Sequence, residues 1–398
     1  MSEAAVTPPG DAPVITGATP GSFARSVLAE RHPALIRQVR DAFPYPPEQR
    51  RALDALLEEI TGGPNSSRIT ALPPGAHAYE RWERWGTGYV GRSWFDVPFL
   101  WAESYFYRRL LEAVGYFAAG PWQGIDPFGP FKRAELRGAA VAAELAVLDE
   151  VAGLPPEAQD AAVLHGALWG NRADLGFRIS AGDESGAAGT LVVDDSAPLW
   201  RHLAAGPGGA VYVVADNAGR ELVADLILID HLLHTGRAAG VVLHVKPYPY
   251  FVSDATTADV VDCLRRIAEA RGRAGEAGAR LWRAMSGGRL DVRAHPFSCA
   301  PLPYADMPAD LRADLGRATL TLVKGDLNYR RLVGDRHWPA TTPFPELTST
   351  FPGAPLAALR TLKSDVVTGL APRTLAALDA TATPWRTTGT HAVIQMRP

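Results

Sequence analysis

The stretch AVYVVADNAGRELVADLILIDHLL at 210–233 decides the fold, together with GVVLHVKPYPYFVSD at 240–254. Each begins with a run of strand-forming residues, 211–214 and 241–245, that predicts a buried strand. The helix-like segment between the two runs has a suitable length for a crossover connection. We therefore expect two parallel strands whose carboxyl ends open at the same edge of one sheet.

Polar residues follow both strand ends. Asp216 and Asn217 come after the first strand, and Asp254 follows the second through a turn broken by proline. This geometry allows the three residues to converge on one hard cation through oxygen atoms. Asp or Asn alone often only caps the next helix, but two acidic strand ends side by side repel unless a positive charge lies between them. Gly219 at the helix start favours an anion nearby, and Glu221 either supports the site or only compensates the helix dipole.

The rest of the chain indicates an α/β protein with a helical first part. Its 398 residues, 47% of them hydrophobic, suffice for two domains or for one large domain with additions. Residues 1–20 contain several Pro and Gly and predict a disordered tail. Residues 21–169 are mostly helical, and residues 170–398, the expected catalytic domain, alternate strands with helices. We expect a mostly parallel, Rossmann-like sheet with helices on both faces.

Hydrophobic periodicity also gives approximate bounds for the elements. Two helices are expected within 22–59, separated by Pro46 and Pro47. Three more helices are expected at 97–117, 139–151 and 156–168. The expected strands after residue 170 lie at 192–193, 211–215, 241–246, 290–294, 319–323 and 391–396, and the expected helices at 219–235, 257–271, 275–285, 308–316 and 355–370.

Composition and charge narrow the classes of partner and compartment. The net charge of -3 gives no reason to expect nucleic acid. Two cysteines, Cys263 and Cys299, do not make a disulfide framework, so a reducing cytoplasm fits best. The first 20 residues lack a signal-peptide pattern, and no apolar run is long enough to span a bilayer. The abundance of Ala, Arg, Gly and Pro suggests a bacterial source, and nothing in the sequence indicates an oligomeric state.

A third polar stretch, TLVKGDLNYRRLVGD at 321–335, follows another predicted strand. Lys324 at the carboxyl end of that strand is well placed to meet a phosphate as a point charge. Gly325 permits a tight turn, and Asn328 and Arg330 could add hydrogen-bond donors. The alternative is a turn with a solvated lysine, which is the commoner fate of a lysine.

Other polar residues give weaker signals. Arg360 and Lys363 flank hydroxyl-bearing residues as in an oxyanion clamp, but a surface helix of mixed charge looks much the same. Glu103 and Arg108 lie on an aromatic helix, where a charge is costly to bury unpaired. On these residues alone, an internal ion pair or a face exposed to water is the preferred explanation. Asn171 follows the end of a helix.

Together these segments resemble one family, the metal-dependent damage-control phosphatases. The family was first described as domain of unknown function 89 and is also called a protein-glutamate O-methyltransferase family. The matching phrases occur in the family's order and span about three quarters of the chain. They are SWFDVPFLWAESYFYRR (93–109), LWGNRADL (168–175), ADNAGRELVADLILIDHLL (215–233), HVKPYPYFVSD (244–254), KGDLNYRRLVGD (324–335) and LRTLKSD (359–365).

The resemblance implies a fold and a site. The fold would be a three-layer α/β/α sandwich with an N-terminal helical region. The site would hold one divalent metal, with Asp216, Asn217 and Asp254 at the positions of the family's ligands. The other expected site residues are Lys324, Asn328, Arg360 and Lys363 facing the substrate and its phosphate, and Glu103, Asn171 and Asp326 lining the pocket. The RTxK form at 360–363 resembles the sugar-phosphatase branch of the family.

We therefore expect a cytoplasmic, metal-dependent phosphomonoesterase that acts on a small phosphorylated sugar or related metabolite. Asp216, Asp254, Lys324 and Asp326 are the expected catalytic residues. An oxygen-only ligand set suits Mg²⁺ or Mn²⁺, with Co²⁺ and Ni²⁺ also compatible.

Two other functions stay open. One is a carboxylate O-methyltransferase that uses S-adenosylmethionine. It is disfavoured because the first strand ends on Asp-Asn-Ala-Gly, whereas the Gly-rich piece 206–209 precedes that strand. The other is a binding protein with an inactive site, which is disfavoured because every expected metal ligand is present.

Overall fold

A seven-stranded sheet forms the centre of the protein. The computed structural model describes residues 12–62, 67–170, 189–206, 208–353, 355–381 and 383–398. The strands are β1 Thr190–Asp194, β2 Ala210–Val214, β3 Gly240–Val245, β4 Leu290–Ala294, β5 Leu320–Lys324, β6 Leu356–Thr361 and β7 His391–Arg397. Their order across the sheet is β1-β7-β6-β5-β2-β3-β4. Neighbouring strands are parallel except for β6 and β7, which are antiparallel.

Helices surround this sheet. Those before β1 are α1 Phe23–Ser26, α2 His32–Ala42, α3 Pro47–Thr61, α4 Tyr79–Trp85, α5 Phe99–Ala113, α6 Gly129–Arg137, α7 Ala139–Val151 and α8 Pro156–Trp169. Those after β1 are α9 Ser196–Ala205, α10 Arg220–His234, α11 Thr257–Ala268, α12 Gly272–Ser286, α13 Ala309–Leu315, α14 Asp326–Val333, α15 Phe344–Leu347 and α16 Pro372–Asp379. A π-helical turn, Val27–Arg31, joins α1 to α2.

The central strands are buried on both faces, which explains their continuous apolar sequences. In β2, Val211 and Val213 point to one face, while Tyr212 and Val214 point to the other. Side chains alternate in this way along any strand. The sheet therefore separates two hydrophobic cores, and the fold is the expected α/β class with a mostly parallel sheet.

The early helices are divided between the two faces. Helices α2, α3 and α5 pack in the core that contains Tyr212 and Val214. Helices α7 and α8 pack in the opposite core with α10. Residues 21–169 thus supply both outer layers, and a domain boundary at 169/170 stays a prediction.

The order of the strands creates a crevice at the centre of the sheet. After β2 the chain adds β3 and β4 on one side, then crosses back to place β5 on the other side of β2. Neighbouring connections at such a switch point diverge, which leaves a binding crevice outside the carboxyl ends of the strands. The loops after β2 and β5 begin at this point.

Two expectations differ from the structure. Residues 355–370, expected as a helix, form β6 and a following loop, because a short apolar run buried on both faces has no distinguishing period. Part of the expected disordered tail is held in place: Val14 pairs with Arg336, and Thr16 pairs with Pro98. Residues 1–11 of that tail lie outside the described residues. Among the helices that are described, none combines the length and apolarity needed to cross a bilayer.

Candidate active site

A cavity of about 460 Å³ lies at the carboxyl edge of the sheet. Its walls are the segments that follow β2, β3, β5 and β6, closed by the π-helical turn and by helices α2 and α5. The sequence-predicted residues that line it are Glu103, Asp216, Asn217, Asp254, Asp326 and Lys363. The fold thus brings together residues that are far apart in the chain.

The segments after β2 and β3 are joined directly. Asn217 and Asp254 face each other in an isolated antiparallel bridge. The backbone N–H of Ala255 donates to the carbonyl of Asp216 at 2.8 Å, and that of Ala218 donates to the carbonyl of Ser253 at 2.6 Å. These bonds fix the relative positions of the two acidic strand ends.

Both carboxylates are buried, and both are costly to ionise. Burial raises the pKa of Asp216 well above its usual value, and the charges of Glu221 and Asp254 raise it further, while Lys246 and Lys363 only partly oppose them. Burial also raises the pKa of Asp254, against the lowering effect of Lys246 and of the Phe251 N–H. Two like charges in a low-dielectric site are stabilised by an added cation.

The side chain of Asn217 is oriented by its neighbours. Its Nδ2 donates to Glu221 Oε2 at 2.9 Å and to Asp216 Oδ2 at 3.3 Å, while Ser253 Oγ donates to its Oδ1 at 2.6 Å. A carboxamide oxygen has two lone pairs, so one remains after the bond from Ser253. Asn217 can therefore offer an oxygen, not a nitrogen, to a ligand.

Gly325 makes room for Asp216. Its φ of +83° lies in the left-handed region, and a Cβ at this position would overlap the Asp216 carboxylate. Glycine is the only residue that satisfies both constraints without strain. The glycine of the segment after β5 thus supports the acid of the segment after β2.

The donor set fits a hard divalent cation. In the described part of the chain, no group of three or more His, Cys, Asp or Glu side chains is arranged to hold a metal. The expected set has two carboxylates and one carboxamide. Mg²⁺ characteristically binds one or two carboxylates and completes its shell with water and substrate phosphate. Asp216, Asn217 and Asp254 match that pattern.

Asp326, at the start of α14, binds the segment after β6 that carries Lys363. Asp326 Oδ1 accepts hydrogen bonds from Arg360 Nε at 2.8 Å, from Ser364 Oγ at 3.1 Å and from the backbone N–H of Lys363 at 3.3 Å. Burial acts to raise the pKa of Asp326, but the guanidinium groups of Arg360 and Arg330 hold it below its usual value. Asp326 is therefore an ionised group bound to the backbone of the segment that carries Lys363.

Arg360 does not face the cavity as expected. It is fully buried, stacks on Tyr329 with its guanidinium carbon 4.4 Å from the ring centroid, and donates to Ser364 and to the carbonyl of Val366. Arg360 lies on the same face of β6 as Ala358, which is packed in the core. Its contacts hold the loop that presents Lys363 and Asp326.

Lys324 and Asn328 also lie outside the cavity. The ammonium of Lys324 is buried 2.7 Å from Asp225 Oδ1 and 3.6 Å from Glu221 Oε1, and it donates to the carbonyl of Ala167. Burial raises the pKa of Asp225 to about 6, against the lowering effect of Lys324. Asn328 is fully buried, where its Nδ2 donates to carbonyls at the ends of β2 and β5 and its Oδ1 accepts from Tyr304.

Glu103 lines the cavity as part of an ion-pair network. Its Oε2 lies 2.7 Å from Arg330 Nη1, and Arg330 also binds Asp335 through two hydrogen bonds. This network links α5 to α14 across the cavity. Asn171 lies outside the described residues.

Several lining residues were not anticipated. Arg31, His32 and Gln38 come from the π-helical turn and α2, and Tyr107 comes from α5. No motif marks the first three, because they reach the cavity only through the packing of the early helices over the sheet. Tyr107 lies within the segment 93–109 that resembles the family, and that resemblance could have indicated it as a site residue.

Known proteins resemble this chain over most of its length. The family model for the damage-control phosphatase ARMT1-like domain matches residues 27–378. "Damage-control phosphatase ARMT1" of Danio rerio is 30% identical over 94% of this chain and 94% of its own length. The protein of that name from Mus musculus is 35% identical over 76% of this chain and 74% of its own. The protein of that name from Homo sapiens is 32% identical over 76% of this chain and 75% of its own length.

A solved structure supports the fold. A DUF89 family protein from Pyrococcus horikoshii superimposes with a TM-score of 0.50 at 14% identity, over 94% of this chain and 98% of that one. At this identity the likeness concerns the fold alone. From the family model and the relatives together, we conclude that this chain belongs to the ARMT1-like damage-control phosphatase family.

Proposed function

We propose that the protein is a divalent-metal-dependent phosphomonoesterase that hydrolyses a small phosphorylated sugar or related metabolite. One observation carries this proposal. Two buried carboxylates whose pKa values are raised, Asp216 and Asp254, share a cavity with Lys363, a cation suited to a phosphate oxygen. Membership of a phosphatase family supports the same reaction class.

Each cavity residue then has a role. Asp216, Asn217 and Asp254 would hold the divalent cation, which when bound supplies charge neutralisation and a more acidic water. Lys363 neutralises phosphoryl oxygens as their charge shifts in the transition state. Asp326 keeps the Lys363 segment in place through its backbone N–H and remains ionised.

Size and polarity favour a small substrate. The cavity of about 460 Å³ falls within the usual range for small-molecule sites. Its lining mixes carboxylates, cations and aromatic rings, including Tyr107 stacked on Phe251 at 4.5 Å. Such a lining suits the hydroxyls and apolar faces of a sugar. The cytoplasmic compartment expected from the two buried cysteines, Cys263 and Cys299, stays part of the proposal.

The methyltransferase alternative is not favoured. Gly219, at the start of α10, has a φ of +66°, and a Cβ there would overlap the carboxylate of Glu135. The helix N-terminus where a nucleotide-type cofactor would bind therefore already has an acidic neighbour.

The test is phosphate release from a panel of sugar phosphates, measured with Mn²⁺ and after chelation. We expect metal-dependent release from at least one sugar phosphate. S-adenosylmethionine binding is measured by calorimetry on the same preparation. Tight binding of that cofactor, with no phosphomonoester hydrolysed, would refute the proposal.

A further inference from the structure

Arg31 is a cation of the cavity with no assigned role. It is the last residue of the π-helical turn, it lines the cavity, and it is exposed to solvent, which places it at the mouth. Its side chain has no ion pair or hydrogen bond with any residue that the structure describes. A charged side chain left free at the rim of a cavity is available to a ligand.

The nearby acid does not need Arg31. Glu103 already has an ion pair at 2.7 Å with Arg330. Arg31 acts on Glu103 only as one of several charges that lower its pKa against the dominant rise from burial. The neighbouring His32 adds no competing cation, because burial and then the charge of Arg31 lower its pKa well below the usual value.

Lys363 and Arg31, cavity cations without an ion pair to any residue that the structure describes, belong to different walls. Lys363 acts on Asp216 at the sheet edge, whereas Arg31 acts on Glu103 and Tyr107 at the helical wall. The expected metal ligands lie on the sheet side. A phosphate bound there leaves Arg31 for the other end of the substrate.

We propose that Arg31 binds a second oxyanion, a carboxylate or another phosphate, at the end of the substrate away from the phosphate that is cleaved. This rests on the proposed phosphatase function. The preferred substrates are then phosphorylated sugar acids or bisphosphates, not neutral sugar monophosphates. The planar guanidinium is suited to both groups because it can donate two parallel hydrogen bonds.

The experiment compares matched substrates in wild type, Arg31→Leu and Arg31→Lys. Glucose 6-phosphate is paired with 6-phosphogluconate, and fructose 6-phosphate with fructose 1,6-bisphosphate. Arg37→Leu is the control, because Arg37 is also exposed on α2 but does not line the cavity. We expect wild type to prefer the member of each pair that has two anionic groups. The two pairs show whether carboxylate or phosphate is the better partner.

Arg31→Leu should lose about 10- to 100-fold in kcat/KM on the member with two anionic groups, the scale of a hydrogen bond to a charged group. It should lose less than about 3-fold on the member with a single phosphate. Arg31→Lys should recover part of the loss. An equal loss on both members, or a matching loss in Arg37→Leu, would overturn the inference.

A protein that hydrolyses none of the four substrates contradicts the phosphatase proposal but not yet the subsite. In that case calorimetry measures binding of 6-phosphogluconate and glucose 6-phosphate. A preference for the acid that disappears in Arg31→Leu supports the subsite, and equal binding by wild type overturns it.

Discussion

At the residue scale, Asp216 and Asp254 are placed where the fold alone disfavours their charge. Burial raises the pKa of both, and the charge of Asp254 raises that of Asp216 further. Without a cation, these ionised groups cost stability at neutral pH, since their folded pKa lies above the unfolded value. Function and stability should therefore respond in opposite directions when one charge is removed.

The first prediction concerns Asp254→Asn, which keeps the shape and the acceptor for the Phe251 N–H. Without metal, the Asp254→Asn variant should unfold at a higher temperature than the wild-type protein, because one of the two repelling carboxylate charges is gone. Its phosphate release should fall by about 10²–10³-fold or more. Mn²⁺ at 100 times its Kd should stabilise wild type by about 2.7 kcal/mol and the variant by much less. Wild-type release by the variant after chelation would contradict the metal assignment.

The second prediction concerns Lys324, whose ammonium is buried beside Asp225. Lys324→Ala should lower the free energy of unfolding by about 3–5 kcal/mol, because it leaves a buried carboxylate without its partner. The double variant Lys324→Met with Asp225→Leu removes both charges and should regain most of this stability. Urea denaturation measures the free energy of unfolding of the single and the double variant.

The same double variant separates two roles for Lys324. Because Lys324 does not line the cavity, the double variant should keep phosphate release within about 10-fold of wild type, well short of the 10²–10³-fold expected from loss of a transition-state contact. An inactive but stable double variant would instead favour the direct phosphate contact that the sequence predicted.

The sequence could place some residues of the site and not others. Asp216, Asn217 and Asp254 were predictable, because parallel strand ends meet at one edge. Lys324 follows the same strand-end logic, but strand alternation puts it on the face of Leu322, which packs toward the opposite helices. Arg31 was not predictable, because only long-range packing brings the early helices to the cavity.

At the element scale, the tight turn after β5 couples the backbone to the acid of the neighbouring segment. Gly325 combines positive φ with the overlap that a Cβ would make with Asp216. Gly334, at the other end of α14, has a similar φ of +88° but no atom closer than 3.9 Å to its added Cβ. The two glycines are therefore a matched pair that separates backbone strain from displacement of Asp216.

The third prediction uses this pair. Gly325→Ala and Gly334→Ala should each cost about 1–3 kcal/mol of stability through left-handed strain. Only Gly325→Ala should also weaken Mn²⁺ binding, by about 10-fold or more. Mutating a residue that orients a metal ligand typically lowers metal affinity on that scale. Calorimetric titration with Mn²⁺ measures the difference. Equal metal affinity in the two variants would show that Asp216 is not displaced.

Element prediction succeeded where the period of the sequence is distinct. The expected strand at 290–294 and the helix at 139–151 coincide with β4 and α7. The expected helix at 355–370 was wrong, because the buried strand β6 is rich in Leu and Ala, which are strong helix formers. It lacks the run of β-branched residues that identified β2 and β3 from the sequence.

At the scale of the whole molecule, one buried histidine makes folding sensitive to acid. Burial lowers the pKa of His244 to about 4, against the raising effect of Asp314, while Arg293 and His295 lower it further. The unfolded chain therefore binds a proton that the folded one excludes between about pH 6.5 and 4. Stability from this group is present above the unfolded pKa of about 6.5 and is lost as pH falls toward 4.

The fourth prediction follows from that sign. Acidification from pH 6.5 to 4 should remove about 3 kcal/mol at most through His244. His244→Leu should flatten the dependence of the free energy of unfolding on pH in this range. His234→Gln, at an exposed position, is the control and should leave the slope unchanged. Unfolding curves at several pH values check this, and equal slopes in wild type and His244→Leu would contradict it.

Strand β7 lies between β6 and β1, and among the strands that the structure describes β1 pairs with β7 alone. Thr190 pairs with His391, a partner far away in the chain. We expect the sheet to assemble from β2, β3 and β5 outward, with β1 added last, because closing so long a loop is slow. Until β7 pairs with it, β6 exposes an unpaired edge that can recruit another chain, and β7 exposes such an edge until β1 is added. Pulse-labelled hydrogen exchange during refolding should show the amides of β1 protected no earlier than those of β7, and refolding yield should fall as protein concentration rises.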